Sequence, residues 1–332
     1  MSKELELWQF VAARLRRGEH VMLLVVAESS GSSPGRQGYK MAVGADGELF
    51  GSIGGGVMEV NLVEQARGIL SRPHAGGLPP ALIEQIHRRD VENASGMICS
   101  GRQSVIVRKL TQSDLDTVKI VIDAHDRAGG YTLLITESTF AAGPDVCGTR
   151  RMSPGGDRPI EFRRTAGSGF VYSEVIGKRP RLYIIGGGHC ALALSELMAR
   201  LGFHISLFDD RPDLNTIEKN EFADEKRIVE SYDQIGELVR NGDDAYVVVM
   251  TLGYASDAVV IRQLVDKDFK YFGVLGSKAK MATLFKELIA EGISKERLDL
   301  IRTPIGLPIN SRTPDEIAVS IAAEIIATKN GA

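Results

Sequence analysis

A glycine turn late in the chain constrains the fold more than any other feature. The apolar run Leu182–Ile185 leads into Gly186-Gly-Gly-His-Cys-Ala191, and the amphipathic stretch Leu192–Leu201 follows. Read as Gly-x-Gly-x-x-Ala, the turn puts Gly186 at a tight strand-to-helix bend. Gly188 lets the backbone approach a pyrophosphate, and Ala191 keeps the new helix close to its strand. Strand candidates then alternate with helix candidates. The strands are Leu182–Ile185, His204–Phe208, Arg227–Val229, Ala245–Met250 and Tyr271–Leu275. The helices are Ala191–Leu201, Gln234–Val239, Ala258–Val265, Met281–Ala290 and Glu316–Ala327. Such alternation predicts a doubly wound parallel sheet. Thr313-Pro-Asp-Glu316 reads as a capping box with proline at the first helical position.

A nucleotide-type half this late in 332 residues leaves room for a second domain in front of it. The Leu5, Trp8, Val11, Ala12 and Leu15 face predicts a first helix, and His20–Glu28 reads as a buried strand. The polar loop Ser29–Gly35 follows, then a hairpin over Met41–Val43 and Leu49–Ile53, and a helix over Val57–Leu70. A strand at Gln103–Leu110, a helix at Leu115–Ala128 and a strand at Tyr131–Thr136 complete this half. Residues 141–173 have poor periodicity and many Gly, Pro and Arg, and read as a mobile connection with a short strand at Phe170–Glu174. The expected fold class is therefore α/β, with an N-terminal α+β domain over 1–176 and a Rossmann-like domain over 177–332.

Composition narrows the function classes. A net charge of -3 gives no electrostatic reason to expect nucleic acid. Apolar runs such as Met22–Ala27 are too short to span a bilayer, so no membrane is expected. The opening Met1-Ser-Lys-Glu-Leu-Glu6 is unlike a secretory signal. Cys99, Cys147 and Cys190 lack paired spacing, which points to a reducing compartment, the cytoplasm.

Six places carry candidate chemistry. At the glycine turn, Gly186, Gly188 and His189 would face a phosphate, and Asp209 closes the second strand where dinucleotide enzymes place a ribose-binding acid. Asp210 and Arg211 are neighbouring candidates, Arg211 for a 2′-phosphate. Cys190 reads as a small buried thiol. Gly276-Ser-Lys-Ala-Lys280 offers a second anion cradle, with Ser277 as N-cap and Lys278 adding charge. Thr251 and Asp257 fall on the carboxyl edge of the sheet. Gly54, Gly55 and Gly56 expose successive N–H groups before a helix, a nest for phosphate. Glu59 is oddly anionic there, suited either to capping N–H groups or to accepting from a heterocycle. Cys99, within Gly96-Met-Ile-Cys-Ser-Gly101, is a soft-metal ligand or nucleophile if accessible, and a buried small hydrophobe otherwise.

Taken together, several segments resemble the XdhC/CoxI-type family of xanthine dehydrogenase accessory factors. They are Gly31–Met41, Gly51–Glu59, Met97–Gly101, Ile185–Ala191, Phe208–Pro212, Phe272–Lys278, Pro304–Leu307 and Thr313–Ser320. The resemblance implies a chaperone that binds molybdenum cofactor (molybdopterin or its dinucleotide form), supports its sulfuration and delivers it to a molybdenum hydroxylase such as xanthine dehydrogenase. Its glycine cradles would take phosphate, and Cys99 the molybdenum. A cysteine desulfurase and a second copy of the chain, as a homodimer, are the further expected partners. Two positions depart from the family pattern: Ser100 stands where Cys-Gly-Gly is common, and Tyr254 where many members have histidine.

Two other classes stay open. An NAD(P)-dependent oxidoreductase would use Gly186, Gly188 and Asp209 for its cofactor, with Tyr254, His189 and Asp257 as its only candidate proton carriers. It lacks a convincing acid–base constellation. For the chain at large the candidate catalytic groups are Cys99, His189 and Asp257. A nucleotide-binding regulatory protein would use the same turn without chemistry.

Overall fold

A computed structural model describes residues 3–71, 80–86, 101–125, 130–144, 146, 160–165 and 169–331. The chain divides into two compact units, Lys3–Lys178 and Arg179 to the C-terminus.

The N-terminal unit contains α1 (Lys3–Arg16), β1 (Val21–Gly31), β2 (Lys40–Gly44), β3 (Leu49–Gly51), α2 (Gly56–Leu70), β4 (Ala81–Ile86), β5 (Gly101–Leu110), α3 (Leu115–Ala124), β6 (Tyr131–Thr136), β7 (Phe140–Gly143), β8 (Ile160–Arg164) and β9 (Phe170–Ile176). One sheet runs β3-β2-β1-β5-β4 and the other β7-β6-β9-β8, both antiparallel. β1 is apolar on both faces because both faces are covered. Leu23, Val25 and Ala27 join a core with α1 and α3. Met22, Leu24 and Val26 pack with Leu62, Val63 and Ala66 of α2. The side-chain period of two sends alternate residues to opposite cores.

Two sequence expectations are corrected here. Residues 141–173 hold more strand than the mobile connection expected there: the strand expected at Phe170–Glu174 forms as part of β9, and β7 and β8 join it and β6 in the second sheet. β8 is half-exposed and arginine-rich, and its apolar pattern is only Ile160 and Phe162, which pack against the core. Ser29-Ser-Gly31 is not loop, because it continues β1 and pairs with Gly101–Gln103.

The C-terminal unit contains β10 (Arg181–Ile185), α4 (His189–Arg200), β11 (His204–Asp209), α5 (Asn215–Glu218), β12 (Glu225–Ile228), α6 (Ile235–Leu238), β13 (Gly242–Val249), α7 (Tyr254–Leu264), β14 (Phe269–Val274), α8 (Lys278–Ala290), α9 (Lys295–Leu298) and α10 (Pro314–Lys329). Its sheet is parallel, in the order β12-β11-β10-β13-β14. Leu182 and Ile184 face α4 and α10, while Tyr183 and Ile185 face α7 and α8. The sheet is therefore covered on both sides, which is why its strands read as continuous apolar runs. The capping box at Thr313 and Glu316 forms as its sequence requires. Among the described residues, no helix is long and apolar enough to cross a membrane.

Candidate functional site

In a sheet of this order the chain leaves β10 toward one side and β13 toward the other, and ligands bind at the carboxyl edge where they diverge. Gly186 makes that bend with φ +106°, and a Cβ there would stand 2.3 Å from the Met250 carbonyl oxygen. Its N–H donates to the Phe208 carbonyl across the sheet end. Gly188 differs. Its φ of -71° suits any residue, and a Cβ would meet nothing within 4 Å. No side chain caps α4, so its first turn presents N–H groups and the positive end of the helix dipole. His189 is exposed at the first helical position. Burial pushes the Cys190 thiol up from its usual range, with Asp315 adding to the effect, in keeping with a structural thiol.

Asp209 ends β11 as expected, but its carboxylate is fully engaged within the protein. Oδ1 accepts from the Arg211 N–H (2.9 Å) and Nε (2.8 Å). Oδ2 accepts from the Gly187 N–H (2.6 Å) and Arg211 Nη2 (2.7 Å). Burial pushes this carboxyl up, but these bonds outweigh it and hold it below the usual carboxylate range. The expected ribose-reading acid is thus a clamp on the glycine turn, because Arg211 folds back onto it. Asp210 lies beside the pair, 3.9 Å from Arg211 Nε.

Across the same edge, Asp257 is buried and bridges two elements. Thr251 Oγ1 donates to Oδ1 at 2.6 Å and Lys280 Nζ to Oδ2 at 2.8 Å. This carboxylate is a strut between the end of β13 and α8, not an accessible proton carrier. Ser277 caps α8 by accepting from the Lys280 N–H, and Lys278 is exposed at the helix start. Tyr254 donates to Glu287 on α8, and that bond pushes its phenol up to about 12. Leu252 stands out between these elements at 81% exposure.

In the N-terminal unit the glycine nest is filled by the chain itself. Glu59 Oε2 accepts from the Ile53 N–H (2.8 Å), the Gly55 N–H (2.9 Å) and Ser52 Oγ (2.7 Å). The phosphate nest expected at Gly54, Gly55 and Gly56 therefore holds an internal carboxylate, and the capping alternative for Glu59 is the one realised. Three backbones meet closely beside it. A Cβ on Gly54 would lie 2.4 Å from the Gly35 nitrogen, one on Gly35 2.2 Å from the Ile53 oxygen, and one on Gly101 2.4 Å from the Ser33 nitrogen. Cys99 and Ser100, like Cys147, lie outside the described residues. Among the described residues, no group of three His, Cys, Asp or Glu side chains could hold a metal ion.

Sequence reasoning passed over two buried polar clusters. Ser33 donates to Gln103 (2.8 Å), which donates to Gln85 (2.7 Å), linking the glycine loops from beneath. Lys40 is bound by Glu174 (2.7 Å) and Glu4 (2.8 Å), and Tyr172 donates to Glu174 (2.9 Å). Burial alone would lower the Lys40 ammonium, but the two carboxylates raise it above its ordinary value. The available signal was slight, since Lys40 opens β2 and Gln103 lies in the polar start of β5 between Arg102 and Ser104.

These units define a class: a Rossmann domain preceded by an antiparallel α+β domain. The chain belongs to the XdhC and CoxI family, whose model matches residues 14–76, while the XdhC Rossmann domain matches residues 182–325. It is 26% identical to a Bacillus subtilis protein described as a probable subunit of xanthine dehydrogenase, over 96% of each chain. It is 25% identical to the uncharacterized protein YqeB of Escherichia coli over 92% of its own length, which spans only 43% of that relative. A Bacillus halodurans crystal structure described as a xanthine dehydrogenase shares the fold, with a TM-score of 0.73 and 23% identity over 99% of this chain and 96% of that one.

Proposed function

We propose that this protein is a cytoplasmic accessory factor of a xanthine dehydrogenase-type molybdenum hydroxylase, which binds molybdenum cofactor and helps its sulfuration and insertion. Membership of the XdhC and CoxI family supports the accessory role. The observation that carries cofactor binding is the uncapped start of α4 behind Gly188, where an added Cβ meets nothing. A phosphate or pyrophosphate fits there, held by N–H groups at Gly188 and His189 and by the helix dipole. Cys99 is the proposed thiolate for the metal end, and a cysteine desulfurase and a second copy of the chain are the proposed partners. When bound, the cofactor supplies the dithiolene-held molybdenum that the client enzyme uses. This chain's part is to hold the phosphate end and keep the turn rigid through Gly186 and Asp209.

The test is expression in a host that makes the cofactor, followed by metal analysis and pterin fluorescence. We expect pterin and molybdenum to co-purify, and Cys99→Ala to lower the metal while leaving the pterin. Protein that is pterin-free and takes up no free cofactor overturns the reading. The strand order and glycine turn also favour an NAD(P)-dependent oxidoreductase. Against it, Asp209, Asp257 and Tyr254 are each engaged by other side chains.

A further inference from the structure

We infer that Arg211 sets the ligand specificity of the C-terminal unit by closing its ribose subsite, so that the glycine turn takes a phosphate ester and neither form of nicotinamide dinucleotide. The inference rests on the proposed function only in taking the turn as a phosphate-holding edge.

In sheets of this order, the carboxylate ending the second strand reads a ribose by accepting from its hydroxyls. A carboxylate has about four acceptor positions. Asp209 uses four, three of them for Arg211 and one for the Gly187 N–H, and its side chain is fully buried. A ribose diol could enter only by displacing these bonds. Either the guanidinium or the turn's own N–H would then lose its partner, and a donor left unmade costs more than a new bond returns. The turn and the lock share one carboxylate, so opening the subsite also loosens the phosphate edge.

A 2′-phosphate fares no better. Arg211 is the neighbouring cation, but Asp209 holds two of its nitrogens and Asp210 stands 3.9 Å from Nε. Two carboxylates against one guanidinium leave the corner net negative, which repels a phosphate dianion. The sequence Asp209-Asp-Arg211 thus supplies both usual readers of the ribose, and the fold sets them against each other.

The experiment titrates the full-length chain with NADH and with NADPH, following binding by calorimetry, for the natural protein, Arg211→Ala, Arg211→Met and Asp209→Asn. The natural protein should bind both weakly, with Kd above about 1 mM. Freeing the acid in either Arg211 variant should improve NADH by about tenfold or more, with little gain for NADPH, as expected for recovered hydrogen bonds to a charged group. Asp209→Asn keeps an acceptor for the Gly187 N–H while releasing the guanidinium, and should favour NADPH instead. Micromolar NADH binding by the natural protein overturns the inference, as does the absence of any NADH gain in a folded Arg211 variant. Should both Arg211 variants fail to fold, the natural protein and Asp209→Asn decide. Pterin content is read separately. A pterin-free preparation whose Arg211 variant gains NADH removes the proposed function and leaves this inference standing. A pterin-loaded one that binds NADH tightly does the reverse.

Discussion

Each unit places a run of glycines before a helix, and each aims a carboxylate at that run, yet the two turns end in different states. At Gly54–Gly56 the Glu59 carboxylate comes from the helix itself and takes the Ile53 and Gly55 N–H groups. At Gly186–Gly188 the Asp209 carboxylate comes from the neighbouring strand and takes the Gly187 N–H, leaving the start of α4 uncapped. The first turn is closed by an internal anion; the second is pinned at one end and open at the other. Neither helix has a side-chain cap, so the two turns differ in the N–H groups ahead of the helix: Glu59 takes two of them in the first, and Asp209 takes one in the second.

The comparison can be broken at several points. The largest effect belongs to the buried ion pair of the N-terminal unit. Lys40→Ala leaves Glu174 buried without its cation, and should cost about 3–5 kcal/mol in denaturant unfolding. Gly186→Ala should cost about 3 kcal/mol, since its left-handed φ and the 2.3 Å approach to Met250 both forbid a side chain. Glu59→Ala strands the Ile53 and Gly55 N–H groups, at about 1–3 kcal/mol. It should also convert the closed turn to an open one, so that phosphate buffer raises the Tm of the variant and not of the natural protein.

Acid sharpens the comparison on the other side. The Asp209 carboxyl is held below its ordinary value of 3.8, so its contribution is present above that pH and is lost as pH falls through the folded-state value. Asp209→Asn should flatten the acid limb of the stability profile below about pH 4. The smallest effect on stability is Gly188→Ala, within about 1 kcal/mol because its backbone tolerates a side chain. The same substitution should weaken phosphate-ester binding, which equilibrium dialysis would detect. Unchanged binding would remove Gly188 from the site.

Much of the C-terminal unit was legible in its residues. Continuous apolar runs at Leu182–Ile185 and Ala245–Val249 announced strands covered on both faces, and Thr313-Pro-Asp-Glu316 announced a helix start. Those signals are local, set by periodicity and capping chemistry within a few residues. Helix α7 began earlier than its apolar spacing suggested, because Gly253 opens it ahead of the first buried alanine, Ala258. In the second N-terminal sheet β6 and most of β9 were expected, while β7 and β8 were missed for a different reason. β8 pairs through its backbone with β9 and offers only Ile160 and Phe162 to the core beside exposed arginines, too short an alternation to announce a strand.

The sites divide in the same way. Gly186, Gly188 and Ser277 sit where their spacing put them, since turn and cap are short-range devices. The roles of Asp209 and Asp257 were out of reach, because a carboxylate's task depends on which donors reach it first, whereas for Glu59 the realised role was one of the two its position offered. Arg211 lies only two residues from Asp209, but whether its fork turns back or outward is settled by the end of β11 and the buried Gly187 N–H. Sequence alone determined two glycine turns, the parallel sheet of the C-terminal half and the family resemblance. Only the tertiary structure decided that one turn is shut by Glu59 and the other left open beside a locked Asp209. Hydrogen-bond partners distant along the chain are chosen by packing, and a buried carboxylate accepts whichever donors the fold delivers.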